Sequence, residues 1–220
     1  MRGKDYVHLT AWLKAVFSYI YTAKKHLMKR LTIVFVLTTL LSFALKAQLP
    51  TNSDGVVEFT DVVLADSLTK DVLFDNAKRW FVVAFKDAKE VIQLMDKENG
   101  EIIGKGVFSY NSSFAYGSAT TKGYINFTVK IIVKDGRYKY LFTHFIHTGS
   151  TYVSTYGNAP AQSFGLITSN AQCSNEGQLN YNWRVRVCED IKQYIGSTVP
   201  ALIKQLNAAM LKPSVVDEDW

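Results

Sequence analysis

The sequence predicts one α+β domain built around an antiparallel sheet. Three observations predict it. Tyr124 to Val133 and Arg137 to His147 alternate between apolar and polar residues on either side of Asp135-Gly136, the pattern of a half-buried hairpin. Two further strand-like runs, Glu90 to Asp96 and Glu101 to Tyr110, flank Lys97-Glu98-Asn99-Gly100. Two stretches with apolar residues at helical spacing lie outside these hairpins and can cover one side of a sheet.

The elements follow in chain order. Residues 1–27 read as an upstream extension, with Met28 the true start. Met28-Lys29-Arg30 is basic, Leu31 to Leu45 is an uncharged apolar run, and Ala47 is small. That order is a secretory signal peptide over 28–47, because a run of about 15 residues is shorter than the roughly 20 that span a bilayer. The mature chain then begins near Gln48, with no stable membrane span, in the periplasm or at the cell surface. Removing 1–47 also changes the charge. The full chain carries 25 Lys and Arg, 19 Asp and Glu and a net +6; the leader holds eight of the basic residues and one acid, Asp5, leaving 17 against 18. A mature chain of net −1 lacks the basic footprint of a nucleic-acid binder.

Residues 48–54 form a polar tether, and 55–212 is the domain. Val56 to Leu64 reads as a first strand with a bulge or bend near Asp61. Thr69 caps a helix in which Leu73, Ala77, Trp80, Phe81 and Ala84 form a core stripe. In the first hairpin Asn99-Gly100 supplies positive φ angles; in the second, Asp135-Gly136 fits a type I′ turn. Pairing Lys134 with Arg137 sets Val133 opposite Tyr138, Ile131 opposite Tyr140, Val129 opposite Phe142, Phe127 opposite His144 and Ile125 opposite Ile146. Residues 148–187, rich in Ser, Thr, Asn, Gly and Tyr, form an insertion. Glu189 to Met210 closes the domain as a short helix or turn, then a restarted helix with Thr198 as cap and Pro200 in its first turn. Residues 213–220 are a loose acidic tail.

Three segments resemble a bacterial exported domain of unknown function, of Bacteroidetes type, with a TATA-binding-protein-like fold. They are Lys70 to Trp80, Val91 to Asp96 with Glu101 to Gly106, and Val133 to Tyr140. The resemblance implies a curved antiparallel sheet in a β-α-β-β-β-β-α order with helices packed on one face. It implies no catalytic or binding residues, and fold similarity does not transfer DNA binding.

The chemistry-bearing residues are few. His144 and His147 point to opposite faces of one strand, so they share no metal without a bulge, and His144 reads as a core residue beside Phe127. Glu189-Asp190 reads as ordinary acids at a helix start. Gly100 to Gly106 lacks the Lys-Ser or Lys-Thr of a phosphate-binding loop. No catalytic residue, cofactor site or metal site is expected. Cys173 and Cys188, the two cysteines, are expected to form a disulfide closing a loop of about 15 residues. Tyr152, Tyr156, Trp183, Arg184 and Arg186 lie among small polar residues and form a candidate contact patch for a protein, glycan or small-molecule partner. The competing reading makes Asn180 to Val187 an added edge strand. The function expected is a non-enzymatic binding or interaction module. The alternatives are a carrier with an apolar cavity between the sheet and the Val199–Met210 helix, or an enzyme with an unrecognised site.

Overall fold

A computed structural model describes residues 49–85, 87–111, 118–155, 157–169 and 181–213. The leader, Tyr156, Cys173 and the segment 214–220 lie outside the described residues.

The centre of the sheet is the hairpin of β4 (Gly123–Lys134) and β5 (Arg137–Gly149). Its first half has the expected register, with Val133 opposite Tyr138, Ile131 opposite Tyr140 and Val129 opposite Phe142. The turn differs from type I′, because only Gly136 takes a positive φ, +72°. The Asp135 carboxylate instead accepts the N–H of Lys70 at 2.7 Å, tying the hairpin tip to the start of the first helix.

The second half of the hairpin departs from the expected register. Thr128 pairs with Thr143, but the next pairs are Asn126 with Ile146 and Ile125 with His147. β5 thus carries one extra residue, and His144 sits there with a φ of +55°. A one-residue bulge reverses the faces of everything beyond it. His144, expected in the core, is exposed, and His147 is fully buried. The exchange places the Phe145 ring on that of Phe127, stacked at 5.7 Å.

β1 (Glu58–Leu64) pairs with β5 from Arg137 to Thr143 in an unbroken register, so there is no bulge at Asp61. β3 (Glu101–Tyr110) pairs with β4, and β2 (Ile92–Asp96) with β3. The main sheet runs β1-β5-β4-β3-β2. Glu90 and Val91, expected in a strand, lie in a one-turn helix, α2 (Ala88–Val91).

α1 (Lys70–Ala84) starts as the sequence indicates: the Thr69 hydroxyl accepts the Val72 N–H at 3.4 Å and Asp71 lies in the first turn. Leu73, Phe74, Ala77, Trp80 and Phe81 are buried against the sheet. Gly104 explains that closeness, because a Cβ there would run into the ring of Phe81, while at Gly106 it would meet the ring of Phe127 on β4.

The closing helix, α4 (Tyr181–Met210), is continuous, contrary to the expected break. Val187, Ile191, Ile195, Val199, Leu202, Leu206 and Met210 are buried along one stripe that runs straight past Pro200. Proline inside a helix costs roughly 3 kcal/mol, while each such side chain gains about 1.5–3 kcal/mol on burial. The stripe therefore carries the helix through, with Pro200 on its exposed side. The same continuity rules out Asn180 to Val187 as an edge strand from Tyr181 onward and puts Glu189 and Asp190 inside the helix rather than at its start.

Inward side chains of the sheet and the stripes of α1 and α4 form one core. The helices leave the other face of the sheet open, where Val62, Leu94, Val107 and Tyr124 are exposed. Among the described residues no helix is long and apolar enough to cross a membrane.

Candidate functional site

The insertion folds as an arm laid against the far end of β5. β8 (Gly165–Leu166) pairs with Ile146 and His147, just past the bulge and in line with β1. A second contact comes from α3 (Ser118–Thr121), a single helical turn: the Gln162 N–H donates to Thr120 O at 2.9 Å. Ahead of these points in the chain, β6 (Tyr152–Ser154) and β7 (Gly157–Ala159) form a separate two-stranded ribbon.

His147 is the arm's inner fastening. Its Nδ1 accepts the Phe164 N–H at 3.2 Å, so Nε2 carries the proton and donates to Thr121 O at 2.9 Å. Tyr110 stands edge-on to the imidazole, with centroids 5.3 Å apart, and donates its hydroxyl to Asp190 at 2.6 Å. Burial pushes the His147 pKa below its ordinary value, partly opposed by the bond to Thr121.

Arg184 is the outer fastening. Its guanidinium donates to Gln162 Oε1 at 3.1 Å and lies over the Phe164 ring, 5.0 Å from the centroid, and beside Trp183. The structure therefore divides the expected contact patch. Trp183 packs against the core and Arg184 holds the arm. Tyr152 and Arg186 are exposed. Tyr156 lies outside the described residues. Cys188 is fully buried on α4; its expected partner, Cys173, is also outside the described residues.

A pinned base thus presents a ribbon whose Tyr152 and Val153 are 47% and 70% exposed. Such a ribbon offers an aromatic face and open backbone edges, the ingredients of a contact surface. Among its described side chains it holds no set of groups for acid–base or nucleophilic chemistry. Among the described residues no three His, Cys, Asp or Glu side chains converge as metal ligands.

A second concavity lies between α1 and the end of α4. It is a groove of about 1100 Å³ lined by Trp80, Val82, Val83, Ala84, Ala208 and Ala209, with Lys78, Arg79 and Lys212 among its charged residues. The carrier reading places its cavity elsewhere, between the sheet and α4. There Phe127, Tyr138, Phe142, Leu202, Leu206 and Met210 are buried in the core.

Sequence reasoning missed the groove and the role of His147. Val82 and Val83 lie off the core stripe of α1, 60% and 86% exposed, a signal readable from helical spacing alone. The bulge left no comparable mark in the composition of β5.

Residues 59–148 match the family described as "Domain of unknown function (DUF4468) with TBP-like fold". Two solved structures are similar. A DUF4468 family protein from Bacteroides ovatus is 15% identical, with 77% of this chain and 94% of that chain covered and a TM-score of 0.50. A TBP-like protein from Parabacteroides distasonis is 13% identical, with 72% and 96% covered and a TM-score of 0.49. No curated protein matches the chain.

Proposed function

With residues 59–148 a domain of unknown function with a TBP-like fold, we propose that this protein is an exported, non-enzymatic interaction module that meets its partner through the β6–β7 ribbon. The observation behind this reading is the contrast between the arm's anchored base and its exposed tip. Phe164 and Ile167 are buried, whereas Tyr152 and Val153 point out of a ribbon paired with no strand of the main sheet. Fixing the base in advance lowers the ordering cost of binding. A Cys173–Cys188 bond would restrain the same region further, in an oxidising compartment reached through the signal peptide at 28–47.

Photo-crosslinking in intact cells tests the reading. A photoreactive residue at Tyr152 or Val153 should give a discrete adduct to a protein or glycan, while one at Val107, equally exposed on the open sheet face, should not. Absence of any adduct at 152 and 153, or identical adducts at Val107, overturns it.

A further inference from the structure

The groove between α1 and α4 supports an inference independent of the ribbon. We propose that it is the seat of this chain's own acidic segment, residues 214–220.

The first argument is where the chain leaves the helix. Asn76 of α1, 5% exposed, donates through Nδ2 to Met210 O at 3.0 Å and to Lys212 O at 2.8 Å. A neighbouring helix thereby caps the end of α4 and draws the following residues over α1. Lys212 and Pro213 consequently line the groove, so the described chain ends within its lining and the acidic segment follows directly from there.

Length is sufficient. The groove follows α1 from Asp75 to Ala84, about 14 Å at 1.5 Å per residue. Seven extended residues reach roughly 23 Å.

Composition is complementary. Lys78, Arg79 and Lys212 face only Asp75 among the lining acids, and the segment brings Asp217, Glu218 and Asp219. Val82 and Val83 are the apolar counterpart of Val215, Val216 and Trp220. The lining also includes Trp80, whose buried indole N–H has no acceptor among the described residues. A carboxylate-bearing occupant supplies the kind of group this donor lacks.

Zero-length carbodiimide coupling of the full chain, mapped by mass spectrometry, tests the proposal. The reaction joins a lysine to a carboxylate only when the two are in contact. Lys97 and Asp71, paired at 3.3 Å, are the internal positive control. Lys78 should couple to Asp217, Glu218 or Asp219 within the monomer, and Arg79→Glu should lower that yield about fivefold while leaving the control pair unchanged. Coupling of Lys97 to Asp71 without any coupling of Lys78 to these acids overturns the proposal. Coupling found only between two chains, in covalent dimers, also overturns it and gives the groove to a second copy.

Discussion

The N–H of Phe164 donates to the Nδ1 of His147 at 3.2 Å, so the arm is fastened to the sheet by a ring nitrogen that is free to accept only while the imidazole is neutral. Protonation would set two donors against each other. Tyr110 from β3 faces the ring with its edge and donates to Asp190 of α4, and Arg184 of α4 lies over the Phe164 ring. Burial is the larger influence on the imidazole and works against a positive charge, with the bond to Thr121 opposing it.

The sign of the resulting pH dependence follows. The folded pKa of His147 is lowered by burial, so below the unfolded value of about 6.5 the unfolded chain binds the proton more readily. The stabilisation is fully present above that value and is lost as pH falls through the folded pKa. Hydrogen exchange measured at pH 7.5 and pH 5, corrected for intrinsic rates, should show Phe164 losing about tenfold in protection while Ile131 in the hairpin centre keeps its own. His147→Gln should flatten the difference. Equal behaviour of the two amides would show that the latch does not exist.

Arg184 and Arg186 are two residues apart on α4, and the helical turn between them separates their roles. Arg184 bonds Gln162 and stacks on Phe164, whereas Arg186 is exposed. Arg184→Ala should lower stability by about 1–2 kcal/mol, from one charged hydrogen bond and a partly buried cation–π contact. Arg186→Ala should stay within about 0.5 kcal/mol. Urea midpoints decide between them, and equal losses would contradict the division of the patch.

The legible parts of this fold are those fixed by local chemistry. Alternation and the Asp135-Gly136 pair gave the β4–β5 register as far as Thr128, and Thr69 with the Leu73–Ala84 stripe gave α1. The register failed beyond Thr128 because the bulge at His144 is a tertiary choice: it turns Phe145 and His147 inward, and nothing in strict alternation announces it. Pro200 misled for the converse reason. Its local preference to break a helix is real, but the buried stripe from Val187 to Met210 outweighs it. Of the candidate site, the chemistry of the arm was readable in its composition. Which aromatics and arginines face outward was not, because Trp183 and Arg184 sit on a helix whose start only packing determines.

The expected Cys173–Cys188 bond makes a stability prediction. Cys188 is buried at 0% exposure on α4, and a loop of about 15 residues closed there contributes about 3 kcal/mol in the chain-entropy picture. Cys173→Ser should lose about that amount under oxidising conditions, and reductant should bring the unaltered protein down to the same level. If reductant leaves the urea midpoint of the unaltered protein unchanged, the bond is absent or contributes nothing.

The alkaline limb of stability should be governed by Tyr138. Its ring is buried at 1% exposure and its hydroxyl donates to Asn207 Oδ1 at 2.8 Å, joining β5 to α4. Burial, with smaller contributions from Tyr140 and Asp61, pushes the phenol up to about 12. Between the ordinary tyrosine value of about 10 and that figure, the unfolded chain releases a proton that the folded chain keeps. Stability from this group is thus complete below about pH 10 and falls as pH rises towards 12. Tyr138→Phe removes both the hydrogen bond and the titration. At pH 7 it should cost about 1 kcal/mol, since Asn207 is half-buried and can turn to water. As pH climbs from 9 to 11.5 the gap between the variant and the unaltered protein should close, leaving in the variant only the shallower slope of Tyr140, which burial also raises. Urea midpoints across that range measure the gap, and two curves that stay parallel would mean that Tyr138 ionises as freely in the folded protein as in the unfolded chain.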